Sequence, residues 1–273
     1  MNHANHAAAR SHATTAGAAR GMMGPESSSS SARELRTMGY EAGRSALSPA
    51  PTGDAIGAHA VDASEVRASS VPTREESGAR EVIELRSAIR AASAQYGIPE
   101  TWIGCIIMHE SQSTERQILG DIGERAQANI QGSSASIGVG QMQVGVAERL
   151  RNADPRLRGG STIDDLLNAD RAALYIAAYL AEILRKMRLW LTRMGEALEP
   201  DLERDMVLLG YNIGFEALRD RNLSDASFGV TYADRARTIR SRSQYIAHTS
   251  GHLQLVVRAL QGIDPVRHRD DWT

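Results

Sequence analysis

Glu110 is the side chain with the clearest capacity for chemistry, because it continues an apolar helical stripe. Trp102, Ile106 and Glu110 are spaced four residues apart, which places them on one face of a helix. Such a stripe faces the protein interior or the wall of a cleft, where burial disfavours the charged carboxylate and raises its pKa. A carboxyl group of raised pKa can donate a proton at neutral pH, so we predict a general acid. The alternative is a structural glutamate at a helix end, capped by Ser111 or paired with an arginine.

Two residues near Glu110 carry reactive side chains that we interpret as structural. Cys105 is the single cysteine of the chain, and its isoleucine neighbours favour a packed, reduced thiol. His109 is adjacent to Glu110, and adjacent residues on a helix point in different directions, so we interpret it as a residue at the boundary of the core. Three further histidines lack metal-ligand spacing, so we predict no metal and no cofactor; they are His248, His252 and His268.

The element that positions Glu110 is a helix with a clear start. Gly97 suits the left-handed end of a preceding helix, and Pro99 cannot continue that helix but suits the start of the next one. We therefore predict a helix from about Pro99 to Glu110. Apolar residues at helical spacing in the range 82–92 predict the helix before it.

Beyond Glu110 the pattern predicts one long loop and then a series of helices. Residues 113–136 are polar and contain several glycines and serines, which predicts a loop, and loops of this length are often functional. The pair Gly138 and Gly140 then leads into a short helix. Capping residues and apolar periodicity predict further helices near residues 161–167, 169–190, 200–209 and 232–260, the second of them buried and central. No sustained β-type alternation occurs, so the predicted fold class is mainly α.

Composition and charge exclude several classes of function. The chain has 273 residues, 42% of them hydrophobic, and a formal net charge of −2. This near-neutral balance gives no overall field for nucleic acid, so we expect no nucleic-acid partner. No apolar run approaches the roughly 18 residues of a membrane span, so we expect no transmembrane segment. The N-terminus also lacks the apolar core, about 7 to 15 residues long, of a Sec signal peptide.

Residues 1–78 differ in composition from the rest of the chain and are predicted to be disordered. Only eleven of them are large and apolar, too few to offset the entropy cost of folding. The segment is rich in serine and alanine, and no acidic residue precedes Glu26. It resembles the export signals of type III secreted effectors, which implies a periplasmic, envelope or secreted location reached by a non-Sec route, through a secretion apparatus. A transit peptide has a similar composition, and an unstructured tail without a targeting signal is the remaining alternative. The folded domain is predicted to span residues 79–273.

Four motifs occur in order and resemble those of the SLT-type lytic transglycosylases, a family of the lysozyme-like superfamily. The first is QYGIPETWIGCIIMHES, residues 95–111, similar to the family's opening helix with its Glu-Ser pair. The second is GVGQMQV, residues 138–144, similar to G-x-G-L-M-Q. The third, residues 178–180, is similar to A-x-Y-L, and the fourth, residues 211–214, is similar to Y-N-A-G. The resemblance implies a lysozyme-like helical domain that cleaves the β-1,4 bond between N-acetylmuramic acid and N-acetylglucosamine in peptidoglycan strands.

The resemblance also implies roles for single residues. Glu110 would protonate the glycosidic oxygen and then, as a carboxylate, take the proton of the muramic acid C6 hydroxyl, which closes a 1,6-anhydro ring without water. Gln143 would hydrogen bond to sugar or peptide groups, and Met142 would line the floor of the cleft. Tyr211 would hold the Glu110 carboxyl group or the substrate acetamide, unless it is a packed aromatic residue with a satisfied hydroxyl.

Other matches to the family are less specific, and some residues depart from it. Asn212 is a further substrate-binding candidate that would also shape the backbone. Ser134 would contact a sugar, although neighbouring serines compete for this role. Gln141 stands where the family has leucine, Gly210 replaces an alanine, and residues 113–136 form an insertion.

Three other interpretations remain open. An acidic residue of the insertion that faced Glu110 would make the protein a hydrolytic muramidase of goose-type lysozyme character; the candidates are Glu115, Asp121 and Glu124. A non-catalytic protein would keep the fold and bind peptidoglycan or a secretion apparatus without turnover. A phage-type endolysin would carry out the same reaction and differ only in the route by which it reaches the cell wall. A basic run in the C-terminal part is interpreted as a solvated helix face; it comprises Arg235, Arg237, Arg240 and Arg242.

Overall fold

The structure of the protein, a computed structural model, describes residues 73–112 and 114–264, apart from the side chains of residues 114–119. The helices follow in chain order as α1 (Arg74–Glu84), α2 (Arg86–Tyr96), α3 (Glu100–Glu110), α4 (Thr114–Gln131), α5 (Val144–Ala153), α6 (Thr162–Leu167), α7 (Ala169–Arg193), α8 (Pro200–Ile213), α9 (Phe215–Ala217), α10 (Tyr232–Arg242), α11 (Gln244–Gly251) and α12 (Leu253–Leu260). In the described ranges the strands are limited to one short pair, β1 (Ser136–Ile137) and β2 (Met142–Gln143). The predicted mainly α fold is therefore confirmed.

The helix α7 is central, and its middle is buried on almost all sides. Asn168 caps its first turn by accepting a hydrogen bond from the backbone N–H of Arg171. Every residue from Tyr175 to Leu180 is buried, so no polar stripe separates this stretch from the core. The helices α2, α6 and α8 pack around it. The prediction of a buried central helix is confirmed, and this helix supports one wall of the cleft described below.

The helix α3 begins where the turn signals place it. Gly97 adopts a left-handed φ of 68°, and Pro99 directly precedes the first helical turn. Each residue from Ile103 to Met108 is buried, because α1, α2, α8, α11 and α12 all pack against α3. The C-terminal residue of this enclosed helix is Glu110, whose position is therefore fixed by the surrounding core.

Most of the segment predicted as a long loop, residues 113–136, is occupied by α4 (Thr114–Gln131), so that prediction is wrong. The helix α4 changes direction at Gly120, whose φ of 56° and ψ of −176° are not helical. Beyond this kink, Glu124 and Ala128 lie one turn apart and are each only 2% exposed. The sequence shows no apolar periodicity for this helix, because its buried face consists of a carboxylate and an alanine rather than of large apolar residues.

The glycine motif at residues 138–144 forms a tight turn between β1 and β2 and leads into α5. The two strands are antiparallel, with Ser136 opposite Gln143. Gly138 has a φ of 75°, and a Cβ atom at this position would lie 2.0 Å from the backbone oxygen of Leu166. Glycine is required here, since any side chain would collide with the end of α6.

The folded part begins a few residues before the predicted boundary at residue 79. Thr73 and Glu76 form a capping box in which each side chain accepts a hydrogen bond from the other residue's backbone N–H, at 3.1 and 2.7 Å. Gly78 packs against the end of α3, where a Cβ atom would lie 2.8 Å from the backbone oxygen of Met108. The disorder and the export signal predicted for the N-terminal residues concern positions 1–72, which lie outside the described residues. None of the described helices combines the length and apolarity that crossing a bilayer requires.

The arginines of α10 are not simply a solvated face, which corrects the prediction made for them. Arg235 donates hydrogen bonds to the backbone oxygens of Gly229 and Leu223, both at 2.9 Å. The Nε atom of Arg240 lies 2.7 Å from Oδ2 of Asp205, a fully buried carboxylate on α8. These contacts of Arg235 and Arg240 hold α10 against the turn before it and against α8. The other two arginines, Arg237 and Arg242, are exposed, as predicted.

Candidate active site

A cleft of about 440 Å³ opens at the C-terminal end of α3, where it is lined by Glu110. The hairpin and the start of α5 contribute Ser136, Gln141, Met142, Gln143 and Val146 to its wall. The helix α7 and the end of α8 contribute Tyr179, Tyr211, Asn212, Ile213 and Gly214. The cleft therefore brings together residues from all four sequence motifs.

The carboxyl group of Glu110 is held by one phenol. The hydroxyl of Tyr245 donates a hydrogen bond to its Oε1 atom at 3.0 Å. Burial raises the pKa of Glu110 to about 7, while the hydrogen bond from Tyr245 acts in the opposite direction. The alternative of a capped or paired structural glutamate does not describe this site. The Ser111 hydroxyl donates to the backbone oxygen of Met108, and no basic residue among those described pairs with Glu110. The group is thus suited to general acid catalysis near neutral pH.

Tyr245 is a functional candidate that sequence reasoning missed. It lies on α11, whose first turn is capped by the Ser243 side chain and which packs against α3 and α8. Burial raises the pKa of the Tyr245 hydroxyl well above its usual value, and the neighbouring Glu110 charge adds to this effect. The phenol therefore stays protonated and remains a hydrogen-bond donor. The available signal was a tyrosine followed by isoleucine within the mostly polar stretch of residues 240–252, which predicts that this pair packs against the core.

Tyr211 lines the cleft but does not hold the carboxyl group, which corrects one of its two predicted roles. Its hydroxyl donates a hydrogen bond to the backbone oxygen of Gly140 at 2.8 Å, and the residue is 8% exposed. The ring lies 5.4 Å from that of Tyr179, centroid to centroid. A Cβ atom on Gly140 would lie 2.8 Å from the Tyr211 hydroxyl and 2.7 Å from Ile176. The packed aromatic residue with a satisfied hydroxyl is therefore the interpretation that applies, and it fixes the hairpin turn against α8.

The hairpin side of the cleft is held by α4 through a buried carboxylate. Glu124 accepts hydrogen bonds from the backbone N–H of Gly138 at 3.0 Å and from Nε2 of Gln141 at 2.7 Å. Gln141 has a positive φ of 43°, which is uncommon for residues other than glycine. The side-chain amide of Gln141 thus attaches the turn to α4. Met142, 3% exposed, and the exposed Gln143 follow directly and line the cleft. Their contacts with a substrate stay predictions.

Of the two other residues predicted to bind substrate, Asn212 lines the cleft and Ser134 does not. Asn212 is exposed and lines the cleft next to Gly214, whose φ is 83°. Ser134 does not line the cleft, because its hydroxyl donates to the backbone oxygen of Gln131 at the end of α4. Ser136, two residues later on β1, lines the cleft instead. The prediction that Ser134 contacts the substrate is therefore wrong, and the serine that lines the cleft is two residues further along the chain.

The described residues place only one carboxylate in the cleft wall. Glu124 is occupied by the hairpin turn, and Asp121 is exposed and does not line the cleft. The side chain of Glu115 lies outside the described residues. Glu110 therefore has no partner among the acids of the insertion whose side chains are described. This arrangement differs from the paired carboxylates of ordinary glycoside hydrolases.

A cluster of histidines lies behind Glu110 rather than in the cleft. His109 packs edge-on against Tyr245, with ring centroids 4.7 Å apart, and lies 6.0 and 6.2 Å from the rings of His248 and His252. Burial lowers the pKa of His109 to about 4, and the two neighbouring histidines add to this effect. In the described ranges no group of three or more His, Cys, Asp or Glu residues is arranged to hold a metal ion.

Cys105 is fully buried, and burial raises the pKa of its thiol to about 12. The predicted packed, reduced thiol is confirmed, because a thiol of such high pKa is a poor nucleophile at neutral pH.

No protein-family model matches this chain, and no curated protein sequence matches it significantly.

Proposed function

We propose that the protein is a peptidoglycan lytic transglycosylase that cleaves the β-1,4 bond between N-acetylmuramic acid and N-acetylglucosamine. The observation that carries the proposal is the carboxyl group of Glu110, which has a raised pKa and is the one carboxyl group that the described residues place in the cleft wall, beside residues of the other three motifs. A glycan strand fits an open cleft of this kind, since Gln143 and Asn212 offer amide groups and Met142 and Tyr179 offer apolar surface.

The proposed reaction uses Glu110 twice. The protonated carboxyl group donates its proton to the glycosidic oxygen, the C1–O4 bond breaks, and N-acetylglucosamine leaves as an alcohol. The acetamido oxygen of the substrate stabilises the positive charge at C1. The Glu110 carboxylate then takes the proton of the C6 hydroxyl, whose oxygen bonds to C1 and closes the 1,6-anhydro ring. The Glu110 proton is restored, and no water is consumed.

Among the described residues Glu110 is the one carboxylate in the cleft wall, which favours this chemistry over hydrolysis. A hydrolase of the ordinary kind needs a second acidic group, either to activate water or to form a covalent intermediate. An internal hydroxyl needs less assistance, because it is already held close to the reacting carbon and has a high effective concentration. Tyr245 keeps the Glu110 carboxyl group in one orientation for both proton transfers.

The test is the product spectrum of purified peptidoglycan sacculi. We expect the protein to release 1,6-anhydro-muropeptides. We expect Glu110→Gln to lower the rate of this release by a factor of roughly 10² to 10⁴, which is what general acid catalysis is worth. Glu100→Gln is the matched control, because Glu100 is on the first turn of the same helix, does not line the cleft and pairs with Arg90.

Other outcomes would replace the proposal. Products with reducing ends only would identify a hydrolytic muramidase. Binding of sacculi without turnover, equal in the native protein and in Glu110→Gln, would identify a non-catalytic binding protein.

We also propose that the N-terminal segment directs export by a non-Sec route through a secretion apparatus, on the basis of its acid-free, serine- and alanine-rich composition. A fusion of residues 1–78 to a reporter should be translocated by such an apparatus. A reporter that stays inside the cell would contradict this part of the proposal.

A further inference from the structure

A second hollow, of about 470 Å³, continues the groove between α5 and α7 beyond the cleft. On α5, Val146 lines the cleft, and Leu150, one turn later, lines the hollow. On α7, Tyr179 lines the cleft, and Glu182, about one turn later, lines the hollow. The two spaces therefore follow each other along the same pair of helices, at a separation of about one helical turn, roughly 5 Å.

One ion pair crosses the groove between the two spaces. Nη1 of Arg149 on α5 lies 2.6 Å from Oε2 of Glu182 on α7. Lys186 approaches the other oxygen of Glu182 at 2.7 Å. Arg149 is also placed 6.0 Å from the centre of the Tyr179 ring, so it borders the cleft as well. A ligand that occupied both spaces would pass over this ion pair.

The charges of the hollow are balanced except at one position. Arg156 pairs with Asp154 at 2.7 Å and stacks over the ring of Tyr96 at 4.4 Å. Glu182 is neutralised by the cations described above. Arg185 is exposed and lines the hollow, and among the described residues no acidic side chain pairs with it. The hollow thus presents one free guanidinium group beside a small apolar floor, which is formed by Leu150, Ala153, Ala178 and Ala181.

We propose that this hollow is a subsite for the peptide substituents of the glycan strand, with Arg185 binding a peptide carboxylate. The proposal rests on the proposed function, because it takes the glycan in the cleft as given. Short peptides with free carboxylates extend from the muramic acid units of such strands. An extended peptide spans about 3.3 to 3.6 Å per residue, so two or three residues reach from a sugar in the cleft across the ion pair. Guanidinium groups bind carboxylates through two parallel hydrogen bonds, and the alanine floor accommodates small peptide side chains.

The test compares two substrates that differ only in their peptides. Peptide-bearing glycan strands and the same strands after enzymatic removal of the peptides are digested under identical conditions. We expect Arg185→Gln to raise the KM for the peptide-bearing strands about fivefold, the size of a partly exposed charge contact, and Arg185→Glu to raise it further. The kcat and the KM for peptide-free strands should not change. Arg193→Gln is the matched control, because Arg193 is exposed on the same helix and does not line the hollow.

The outcomes separate this inference from the proposed function. Equal KM changes on both substrates, or no change on either, would overturn the peptide subsite while leaving the cleavage reaction intact. If neither substrate is cleaved, the proposed function fails, and titration with a free peptidoglycan stem tripeptide decides the subsite. Binding by the native protein that is lost in Arg185→Glu and kept in Arg193→Gln would support the subsite, and equal binding by all three would overturn it.

Discussion

At the scale of single residues, burial shifts the pKa values of the neighbouring side chains of Glu110 and His109. Both shifts favour the uncharged form of the side chain. The pKa of Glu110 rises from 4.5 to about 7, and that of His109 falls from 6.5 to about 4. Both groups touch Tyr245, which donates its hydrogen bond to Glu110 and packs against His109 with its ring. The neutral pair lets α3 and α11 pack closely, because no charge has to be buried between them.

The raised pKa of Glu110 makes stability depend on pH. Between pH 4.5 and about 7 the folded protein binds more protons at Glu110 than the unfolded chain, so this group lowers the free energy of unfolding as the pH rises. Its contribution is fully present below pH 4.5 and is lost above pH 7. Glu110→Gln cannot ionise, so we expect it to be more stable than the native protein at pH 8 by up to roughly 3 kcal/mol, and equally stable near pH 4. Denaturant unfolding at several pH values measures the difference.

His109 provides an internal control for this measurement. Its lowered pKa has the opposite effect, since the unfolded chain takes up the proton first as the pH falls from 6.5 to about 4. In Glu110→Gln this contribution is no longer offset, so the free energy of unfolding should rise with pH across that window. A Glu110→Gln curve that runs parallel to the native curve from pH 4 to 8 would show that Glu110 titrates normally.

Tyr245→Phe tests the hydrogen bond to the acid. The bond stabilises the ionised carboxylate, so its loss should raise the pKa of Glu110 and move the alkaline limb of the kcat/KM profile to higher pH. The kcat should fall about tenfold, because the carboxyl group loses its fixed orientation. Tyr232→Phe, on the neighbouring helix α10 and outside the cleft, is the control. An unchanged pH profile in Tyr245→Phe would contradict the positioning role.

At the scale of elements, α4 acts as a support for the hairpin rather than as a catalytic loop. Its buried carboxylate, Glu124, bonds to both ends of the turn that begins at Gly138 and ends at Gln141. Met142 and Gln143 directly follow that turn and line the cleft. The helix α4 therefore determines the shape of one cleft wall, although none of its described residues lines the cleft.

Glu124→Ala separates a structural role from a catalytic one. It leaves the backbone N–H of Gly138 and the amide of Gln141 without their partner, so we expect a loss of about 1–3 kcal/mol in the free energy of unfolding. We also expect the KM for glycan to rise. Asp121→Ala, on the exposed side of the same helix, should change stability by less than about 0.5 kcal/mol. A large fall in kcat at unchanged stability would instead make Glu124 a catalytic base and favour hydrolysis.

At the scale of the whole molecule, a buried charge network ties the C-terminal helices to α8. Asp205 is fully buried, and its Oδ1 atom lies 2.8 Å from Arg204 and accepts a hydrogen bond from the Ser250 hydroxyl at 2.9 Å. Its Oδ2 atom is paired with Arg240 on α10. Ser250 is on α11 and Arg240 is on α10, so Tyr245 on α11 lies between these two attachments in the chain. The network therefore helps to set the distance between Tyr245 and Glu110.

Arg240→Ala should weaken this attachment. Removal of one cation from a buried carboxylate leaves part of its charge uncompensated, so we expect a loss of about 1–3 kcal/mol in the free energy of unfolding. Arg237→Ala is the matched control, because Arg237 is on the same helix and pairs only with the exposed acids Asp234 and Glu199. It should cost less than about 1 kcal/mol. Both losses are measured by denaturant unfolding. Equal losses would show that the buried network contributes no more to the free energy of unfolding than the exposed ion pairs.

Much of the fold was predictable from the sequence, because its signals are local. The left-handed Gly97, the proline that follows it and the apolar spacing up to Glu110 each involve residues within a few turns of one another, and such patterns determine where a helix begins and which face is buried. The same holds for the cap at Asn168 and for the central helix. Glu110 stood out for the same reason, since a carboxylate on an apolar stripe is visible in a single helix.

The tertiary structure alone decided which groups surround Glu110. Tyr245 lies 135 positions away in the chain, and only the packing of α11 on α3 brings its hydroxyl to the carboxyl group. For the same reason the sequence did not show that Tyr245, rather than Tyr211, holds the Glu110 carboxyl group, whereas Tyr211 binds the backbone of the hairpin turn. Nor did it show that Glu124 supports a turn 14 residues later in the chain. A hydrogen bond between distant residues leaves no periodic pattern in the sequence, because it depends on how whole helices pack. The sequence thus determined that Glu110 lies on the apolar face of a helix. The packing of the other helices determined which groups contact its carboxyl group and how far burial raises its pKa.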